Sequence, residues 1–164
     1  MINITDLKIT FNPGTPLENQ ALKGVDLYIP ESQFITVIGS NGAGKSTLLN
    51  ALAGEFLSPK GSILLEEKDI SLWPVAKRAP LIARVFQDPL MGTCEDLTIE
   101  ENLALAQARV KSRGLGVAAK RKYRNRFKAK LKLLQLGLED RLDDKIGLLS
   151  GGQRQAVSLL MASL

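Results

Sequence analysis

One glycine-rich loop constrains the fold of this chain more than any other feature. Residues 39–46 read Gly-Ser-Asn-Gly-Ala-Gly-Lys-Ser, which matches the P-loop pattern of Gly, four residues, Gly-Lys and then Ser or Thr. The apolar and β-branched run 34–38 leads into the loop and predicts a strand buried on both faces of a parallel sheet. Residues 46–53 predict a helix, and Gly54 stands where a C-terminal cap glycine belongs. A strand, this loop and a helix in that order predict a nucleotide-binding α/β core.

The residue types in the loop suit a phosphate chain. Glycines allow backbone conformations in which successive N–H groups point at phosphate oxygens, and the following helix adds the positive end of its dipole. Lys45 supplies a charge for the β- and γ-phosphates of a nucleotide, and the Ser46 hydroxyl is able to bind Mg²⁺. The alternative is a glycine-rich turn that has this pattern by chance. A P-loop alone leaves GTPases, kinases and motor ATPases open. The predicted nucleotide-binding residues are Gly39, Ser40, Asn41, Gly42, Ala43, Gly44, Lys45, Ser46 and Thr47.

Strand and turn patterns occupy the rest of the first half. Alternating apolar residues predict two strands on either side of an Asn12-Pro13-Gly14 turn, and shorter strand patterns follow the P-loop helix. The chain has no Asn-Lys-x-Asp motif for reading guanine, which argues against a GTPase. The predicted strands are 2–11, 22–29, 62–65 and 84–86, and a helix is predicted within 75–83.

The second half has the pattern of helices. Thr98 and Glu101 form a capping-box pattern ahead of an apolar stretch. The basic run 120–132 predicts a helix that continues to about Leu136, and the residues from Gln153 onward have helical spacing. The change of pattern predicts a helical part after a β-rich part.

A second glycine motif lies about a hundred residues after the first, with the sequence Leu149-Ser150-Gly151-Gly152-Gln153. Ser150 and Gln153 have the spacing of a capping box at the start of a helix. The two glycines leave this positively polarised helix end without side chains, which suits contact with an anion. By itself, the motif is explained equally well by an ordinary capped helix.

Together, the two motifs resemble those of the ATP-binding cassette (ABC) transporter family, and the resemblance covers the whole chain. It implies a RecA-like P-loop NTPase core, of α/β class, with an antiparallel β-subdomain and a helical subdomain, incomplete at the C-terminus. The implied division is a β-subdomain and P-loop core at 1–83, a Q-loop and helical subdomain at 84–149, and the start of the signature helix at 150–164. In that family two cassettes pair head to tail around ATP. The residues implied to contact the partner's ATP are Ser150, Gly151, Gly152 and Gln153.

The resemblance also implies roles for two further residues. Gln87 matches the Q-loop glutamine, which reaches the Mg²⁺ held by Ser46 and couples the site to the membrane subunits. A polar residue at the end of a strand is the alternative for Gln87. Phe11 stands where the family carries an aromatic ring stacked on adenine, and a core phenylalanine is the alternative there.

Three phrases, at 11–15, 85–89 and 147–155, resemble a bacterial subgroup of ATP-binding proteins of tryptophan- or tyrosine-type importers. The resemblance implies an ATPase that binds Mg·ATP with a second ABC subunit, as a homodimer, and drives transport, with import as the direction. Its implied partners are transmembrane permease subunits and a substrate-binding protein, at the inner face of the cell membrane, without nucleic acid. The alternatives are a soluble ABC-type nucleotide switch that acts on nucleic acid or ribosomes, and a naturally short nucleotide-binding protein.

The family's hydrolytic residues follow the signature helix: a strand ending in Asp-Glu, and later a histidine. This chain has no histidine and no acidic residue after the signature. The resemblance therefore places no catalytic residue within these 164 residues and implies a truncated chain that does not hydrolyse ATP alone. Without the neighbouring strand, the apolar residues 34–38 and 156–164 are expected to lack a packing partner. Asp143 and Asp144 precede the signature and are interpreted as a solvated turn.

The positive charge is concentrated in one segment. The net charge is +5, but residues 120–132 hold eight basic residues and no acidic one, which leaves 14 basic against 17 acidic residues elsewhere. The preferred interpretation is a helix with a wet, charged outer face. Contact with anionic lipid headgroups or acidic loops of a membrane subunit, and contact with nucleic acid, are the alternatives. The predicted apolar side of this helix comprises Phe127, Leu131, Leu133, Leu134 and Leu136.

Targeting and redox signals are few. No segment has the pattern of a signal peptide or the length of a membrane-spanning apolar run. The one cysteine, Cys94, has no partner for an internal disulfide and no ligand partners at metal spacing. It is interpreted as a small, semi-buried side chain. These features predict a protein of the reducing cytosol.

Overall fold

The computed structural model describes residues 1–57, 60–109 and 121–164 of the chain. These residues divide into two compact units, Met1–Ile82 and Ala83–Leu164. The first unit contains a β-sheet and the P-loop, and the second contains the signature and three of the longer helices. Each unit has its own cluster of buried apolar side chains.

Four antiparallel strands form the sheet of the first unit, in the spatial order β2-β1-β3-β4. The long central strand β1 pairs with β2 on one edge and with β3 on the other. The strands predicted at 2–11, 22–29 and 62–65 are confirmed, as is the antiparallel β-subdomain. The strands are β1 (Ile2–Phe11), β2 (Asn19–Ile29), β3 (Lys60–Leu65) and β4 (Lys68–Asp69).

The P-loop helix α1 (Lys45–Ala53) shares one buried cluster with this sheet. Leu48 and Ala51 are three residues apart, so they lie on the same face of the helix and enter the cluster together. Gly54 ends α1 in the left-handed conformation with φ 85° and donates its N–H to Ala51, which confirms the predicted cap. The cluster consists of Ile4, Leu7, Ile9, Leu22, Leu48, Ala51, Ile63 and Ile70.

Two predicted strands are absent from the described residues, so these predictions were wrong. Residues 34–38 lie outside any strand or helix, and Phe34 and Ile38 are 92% and 88% exposed. Residues 84–86 are likewise outside any strand. An apolar run predicts that a segment favours burial, but a strand also needs a neighbour that pairs with its N–H and C=O groups. No described strand pairs with either segment.

A short helix, α2 (Val75–Arg78), follows Pro74 and confirms the helix predicted within 75–83, with one turn rather than two. Pro74 is the N-terminal flanking residue, where its fixed φ is compatible with the start of a helix. The last residue of α2, Arg78, is a buried charge within the first unit.

The second unit is built from helices. α3 (Ile99–Ala108) begins with the predicted capping box, in which Thr98 accepts from the Glu101 N–H and Glu101 accepts from the Thr98 N–H. Three short 3₁₀ helices, at Pro89–Gly92, Leu138–Asp140 and Ile146–Leu148, connect the longer elements. The buried cluster of this unit consists of Ile99, Leu103, Ala104, Phe127, Leu131, Leu138, Leu142, Ile146, Leu149, Val157 and Leu160.

The basic segment forms α4 (Arg121–Lys132), while Lys120 lies outside the described residues. Phe127 and Leu131 are fully buried, as the predicted apolar side requires. Leu133 and Leu136, however, are 80% and 40% exposed, so their assignment to that side was wrong. The helix ends four residues earlier than predicted, because left-handed backbone at Gln135 and Gly137 stops the helical repeat that would have turned these two leucines inward.

The signature helix α5 (Gly151–Ala162) confirms the helix predicted from Gln153 onward. Val157 and Leu160 are buried in the cluster that also contains residues of α3 and α4. The expectation that residues 156–164 lack a packing partner was therefore wrong, because this helix packs within its own unit. Leu159, on the opposite face of α5, remains 53% exposed.

Two charges of α4, Arg124 and Lys128, form ion pairs while remaining partly exposed to solvent. Arg124 forms a fork with Asp143, with Nη1–Oδ1 at 2.9 Å and Nη2–Oδ2 at 2.5 Å, and it also contacts the Glu100 carboxylate of α3. Lys128 lies 3.5 Å from Asp140. Asp143 is in an exposed turn, as predicted, but the sequence did not reveal that this turn is bound to α4 through Arg124.

The Arg124 fork predicts a stability change at acid pH. The hydrogen bonds from Arg124 hold the pKa of Asp143 below its usual range, so the pair stabilises the fold above the unfolded pKa of about 3.9 and this contribution is lost as pH falls through the lower folded value. We expect Asp143→Asn to lower Tm at neutral pH and to reduce the loss of Tm on acidification below about pH 4. Thermal unfolding across this range measures both effects. Asp96→Asn, an exposed change without an ion pair among the described residues, is the control. Equal acid sensitivity of Asp143→Asn and the unsubstituted protein would contradict the role of the fork.

Cys94 is exposed, so its interpretation as a semi-buried side chain was wrong. The buried Asn102 side chain binds the backbone N–H and C=O of Cys94, which fixes this loop through its main chain and leaves the thiol at the surface. Within the described ranges, no helix has the length and hydropathy to cross a bilayer.

Candidate nucleotide-binding site

The P-loop is a tight turn that leads directly into α1. Ala43 donates its N–H to Ser40 at 3.2 Å, and Gly42 and Gly44 adopt left-handed φ values of 83° and 87°. A Cβ added at Gly44 would lie 2.7 Å from the carbonyl oxygen of Ala21 on β2. Glycine is therefore required at position 44 both by the backbone conformation and by the close approach of the neighbouring strand.

Lys45 lies folded over the loop at the first turn of α1. Its Nζ donates to the carbonyl oxygens of Gly39 at 2.8 Å and Ser40 at 2.7 Å. The N-terminus of α1 has no side-chain cap and no acidic residue in its first turn. This end of the helix thus combines an ammonium group, free N–H groups and the positive end of a dipole, which are the groups that bind phosphate oxygens.

Ser46 and Thr47 follow Lys45 in the same turn. Ser46 is exposed and Thr47 is half-buried, so the Ser46 hydroxyl is accessible to a metal bound beside the phosphates. Among residues 1–57, 60–109 and 121–164, no three His, Cys, Asp or Glu side chains lie together as a metal site. An accessible hydroxyl is a suitable oxygen ligand for Mg²⁺, so Ser46 fits that role, and Mg²⁺ binding by Ser46 stays a prediction.

Phe11 lies at the end of β1, partly buried against the sheet cluster. Its ring packs edge-to-face on Phe56, with centroids 5.1 Å apart. This contact agrees with a core phenylalanine, and adenine stacking by Phe11 stays a prediction. A depression beside the P-loop is lined by Asn19, Gln20, Ala21, Leu22, Lys23, Val25, Gly42 and Ala43.

The signature forms the capped helix start that its sequence predicts. Ser150 Oγ accepts from the Gln153 N–H at 3.3 Å, and Gln153 Oε1 accepts from the Ser150 N–H at 3.2 Å. Gly151 and Gly152 are exposed, and a Cβ added at either would meet nothing within 4 Å in the described structure. Since the fold of this unit leaves room for a side chain at both positions, internal packing does not explain the two glycines.

The residues before the signature are held by the loop before α3. Ile146 and Gly147 donate their N–H groups to Leu97 and Glu95, each at 3.0 Å. A Cβ at Gly147 would lie 3.2 Å from the Glu95 carbonyl oxygen. These backbone contacts hold the residues that lead into the N-terminus of the signature helix.

Asn102 holds that loop in turn, and motif analysis missed it. Its side chain is fully buried and bonds the backbone of Cys94 twice, with further bonds to the carbonyls of Leu97 and Thr98. An asparagine inside a helix is unfavourable unless its amide has partners. An asparagine within the predicted helix after Thr98 was therefore the one feature of the sequence that could have indicated this role.

Replacing Asn102 by alanine is expected to destabilise the second unit by about 2–4 kcal/mol, because buried backbone groups of the loop lose their partners. Denaturant unfolding of the full-length protein measures the change. Leu105→Ala, at a half-exposed position of the same helix, is the matched control and is expected to have a smaller effect. Similar losses for the two variants would show that the Asn102 bonds contribute little.

Gln87 is exposed and belongs to the second unit. It precedes Asp88, whose carboxylate accepts from the Leu90 N–H at 2.9 Å and caps the 3₁₀ helix Pro89–Gly92. The structure thus groups the P-loop residues in the first unit, and places Gln87 and the signature residues in the second. The role of Gln87 at Mg²⁺ stays a prediction.

A P-loop that opens a helix, an antiparallel sheet beside it and a capped Ser-Gly-Gly-Gln helix start define a cassette-type P-loop NTPase fold. The sequence profile described as ABC transporter matches residues 22–164, and the chain belongs to this family.

Relatives in two bacteria support the same assignment. The chain is 40% identical, over its full length, to the tyrosine transport ATP-binding protein of Clostridioides difficile (strain R20291), and covers 65% of that protein. It is 33% identical, over 96% of its length, to the energy-coupling factor transporter ATP-binding protein EcfA2 of Clostridium acetobutylicum, and covers 54% of it. The chain therefore spans less than two thirds of either relative.

A solved structure has the same fold over nearly the whole chain. It is the ATP-binding cassette MJ0796 in a dimeric, post-hydrolysis state bound to ADP and Pi, with a TM-score of 0.82 and 27% identity. The comparison covers 99% of this chain and 68% of that one. It confirms the predicted P-loop NTPase fold.

Proposed function

We propose that this chain is the nucleotide-binding part of an ABC importer subunit and that residues 39–47 bind Mg·ATP. The setting of Lys45 carries this proposal. Its ammonium group is held by two loop carbonyls at the uncapped N-terminus of α1, among backbone N–H groups that have no competing acidic side chain in the first turn. Such an arrangement attracts the phosphate chain of a nucleotide.

Each residue of the loop has a distinct part in this proposal. Backbone N–H groups between Ser40 and Ser46 wrap phosphate oxygens, and Lys45 exchanges loop carbonyls for the β- and γ-phosphates. The exposed Ser46 hydroxyl binds the Mg²⁺ ion, with Gln87 as its second protein contact. The ion offsets the charge of the phosphates. Phe11 or the depression beside Gly42 receives the nucleoside.

The signature binds a second nucleotide, held by the P-loop of a partner subunit. Ser150, Gly151 and Gly152 present a bare, capped and positively polarised helix start. Internal packing leaves both glycines unexplained, whereas glycine at both positions would let a phosphate approach the backbone N–H groups closely. The dimeric state named for MJ0796 also supports pairing of two cassettes.

The full-length protein hydrolyses ATP and works with membrane partners, again as a proposal. The relatives' names, tyrosine transport and energy-coupling factor transporter, favour import and transmembrane permease subunits. We include a substrate-binding protein and a position at the cytoplasmic face of the membrane in the same proposal. Residues 1–164 supply nucleotide binding but no catalytic residue, and we expect them to lack turnover alone.

Affinity purification of the full-length protein from detergent-solubilised membranes tests this function. We expect integral membrane subunits to co-purify and ATP hydrolysis to be lost on Lys45→Ala substitution. Co-purification with ribosomes or nucleic acid instead of membrane subunits would favour the soluble nucleotide switch and overturn the importer assignment.

A further inference from the structure

We propose that Arg78 is a positioning residue for the P-loop, because it fixes the carboxyl end of the helix that the P-loop begins. This inference rests on the proposed nucleotide site at residues 39–47. Arg78 does not itself belong to that loop. It acts through α1, whose other end carries Lys45 and Ser46.

Arg78 is a buried hub of hydrogen bonds in the first unit. The residue is only 1% exposed. Its Nη1 donates to the carbonyl oxygens of Ala51 at 2.7 Å and Leu52 at 2.9 Å, which belong to the last turn of α1. Its Nε donates to the carbonyl oxygen of Trp73 at 2.8 Å, and its Nη2 donates to the carbonyl oxygen of Ser71 at 2.9 Å. One guanidinium therefore joins the end of α1 to the segment 71–73.

Carbonyl groups, rather than a carboxylate, hold this charge. No acidic side chain forms an ion pair with Arg78 within the described residues. Burial lowers the pKa of Arg78, and the charge of Asp69 opposes that shift. The last carbonyls of a helix lie at the negative end of its dipole and have no hydrogen-bond donors within the helix. A cation placed there offsets the dipole and donates hydrogen bonds to these carbonyls. Arg78 thus serves as a C-terminal cap supplied from another element.

Gly54 shows how closely this cap fits. A Cβ added there would lie 2.9 Å from the Trp73 carbonyl oxygen, 3.0 Å from Arg78 Nε and 3.1 Å from Arg78 Cδ. The glycine that ends α1 therefore leaves the space that the Arg78 side chain occupies. A methyl group at position 54 would crowd the Trp73 carbonyl and the guanidinium, and it would strain the left-handed backbone there, without removing the charge of Arg78.

The two ends of α1 are fixed by different contacts. At the P-loop end, Gly44 lies against the Ala21 carbonyl of β2, and at the other end Arg78 binds Ala51 and Leu52. The helix has nine residues and a length of about 14 Å. Because a helix this short moves as a rigid body, a shift or tilt at residues 51–52 moves Lys45 as well. Displacements of about 1 Å at a binding site are enough to weaken it strongly.

The test compares Mg·ATP binding and thermal stability in the full-length protein. Arg78→Met keeps the aliphatic part of the side chain but removes its N–H donors. Arg78→Lys keeps the charge but lacks the planar guanidinium group. Gly54→Ala keeps the guanidinium but crowds it and the Trp73 carbonyl. Ile63→Ala, at a buried position in the same unit, is the control for loss of stability alone. Titration calorimetry at a temperature where each variant is folded gives Kd, and steady-state assays separate KM from kcat.

We expect Arg78→Met and Gly54→Ala to raise Kd and KM for Mg·ATP by about tenfold, with kcat changed much less. Arg78→Lys is expected to recover part of the affinity, while Ile63→Ala lowers Tm and leaves Kd unchanged. If Arg78→Met does not fold, Arg78→Lys and Gly54→Ala decide. Wild-type Kd in every folded variant at these two positions would overturn the inference.

Lys45→Ala measured in parallel separates this inference from the function on which it rests. Loss of binding in Lys45→Ala with normal binding in the Arg78 and Gly54 variants would refute only the role of Arg78. Unchanged binding in Lys45→Ala would refute the nucleotide site, and the Arg78 inference with it.

Discussion

Replacing Lys45 by alanine in the full-length protein is expected to raise the Kd of Mg·ATP by about 100-fold or more. The ammonium group makes charge-assisted hydrogen bonds to phosphate oxygens, each worth about 1.5–3 kcal/mol, and tenfold in Kd corresponds to about 1.4 kcal/mol. The substitution also removes the two bonds that tie the side chain to Gly39 and Ser40. Isothermal titration calorimetry gives Kd directly.

Lys68→Ala is the matched control for the loss of one positive charge. Lys68 is an exposed lysine on β4 in the same unit, so its removal lowers the net charge equally. We expect the Kd of Mg·ATP for this variant to stay within about twofold of the unsubstituted value, because salt screens a solvent-exposed charge that does not contact the ligand. Equal weakening in both variants would show that Lys45 acts only through the overall charge.

Replacing Gly152 by aspartate is expected to abolish ATP-dependent dimerisation and to reduce turnover by about 100-fold or more. The structure leaves space at Gly152, and an acidic residue in the first turn of a helix favours the helix, so the subunit should fold with an unchanged or higher Tm. An anion at this position would face the phosphates of the partner's nucleotide, where like charges cost several kcal/mol. Light scattering with Mg·ATP measures the dimer.

Gly152→Asn separates charge from size in this experiment. The two side chains have nearly the same shape, so the difference between them reports repulsion of an anion. We expect the asparagine variant to retain clearly more dimer than the aspartate variant, and both to bind Mg·ATP in the isolated subunit with normal Kd. Undiminished dimerisation of Gly152→Asp would mean that the signature does not face a phosphate.

Local chemistry accounts for the parts of the fold that the sequence predicted correctly. The Thr98–Glu101 and Ser150–Gln153 caps are formed by residues three apart, so their spacing alone specifies the hydrogen bonds. The hairpin of β1 and β2 likewise follows from alternation and a turn. By contrast, the segments 34–38 and 84–86 depend on strand neighbours that their own residues do not specify.

Tertiary contacts account for what the sequence did not reveal. Arg78 looks like any surface charge on a short helix, yet its guanidinium donates to four carbonyls from two segments of the chain, residues 51–52 and residues 71–73. The Arg124–Asp143 pair joins residues 19 apart that no motif connects. Leu133 follows an apolar pattern, but left-handed backbone just beyond it ends the helix.

The candidate site shows the same division between local and distant information. The glycines at 42 and 44 have the left-handed conformations that the P-loop pattern requires, because that requirement is local. The approach of β2 to Gly44, the Phe56 contact of Phe11 and the support of the signature by Asn102 all join distant residues. Motifs therefore locate the site, while its supports become visible only in three dimensions.

The dependence of affinity on phosphate number tests the account most directly. Calorimetric titrations of the full-length protein with Mg·ATP, Mg·ADP, AMP and adenosine compare ligands that share a base and differ only in the phosphate chain. If the backbone N–H groups and Lys45 bind the phosphates, Kd rises stepwise as phosphates are removed, and adenosine binds weakest. Adenosine binding as tightly as Mg·ATP, or no detectable binding of any of the four, would contradict it.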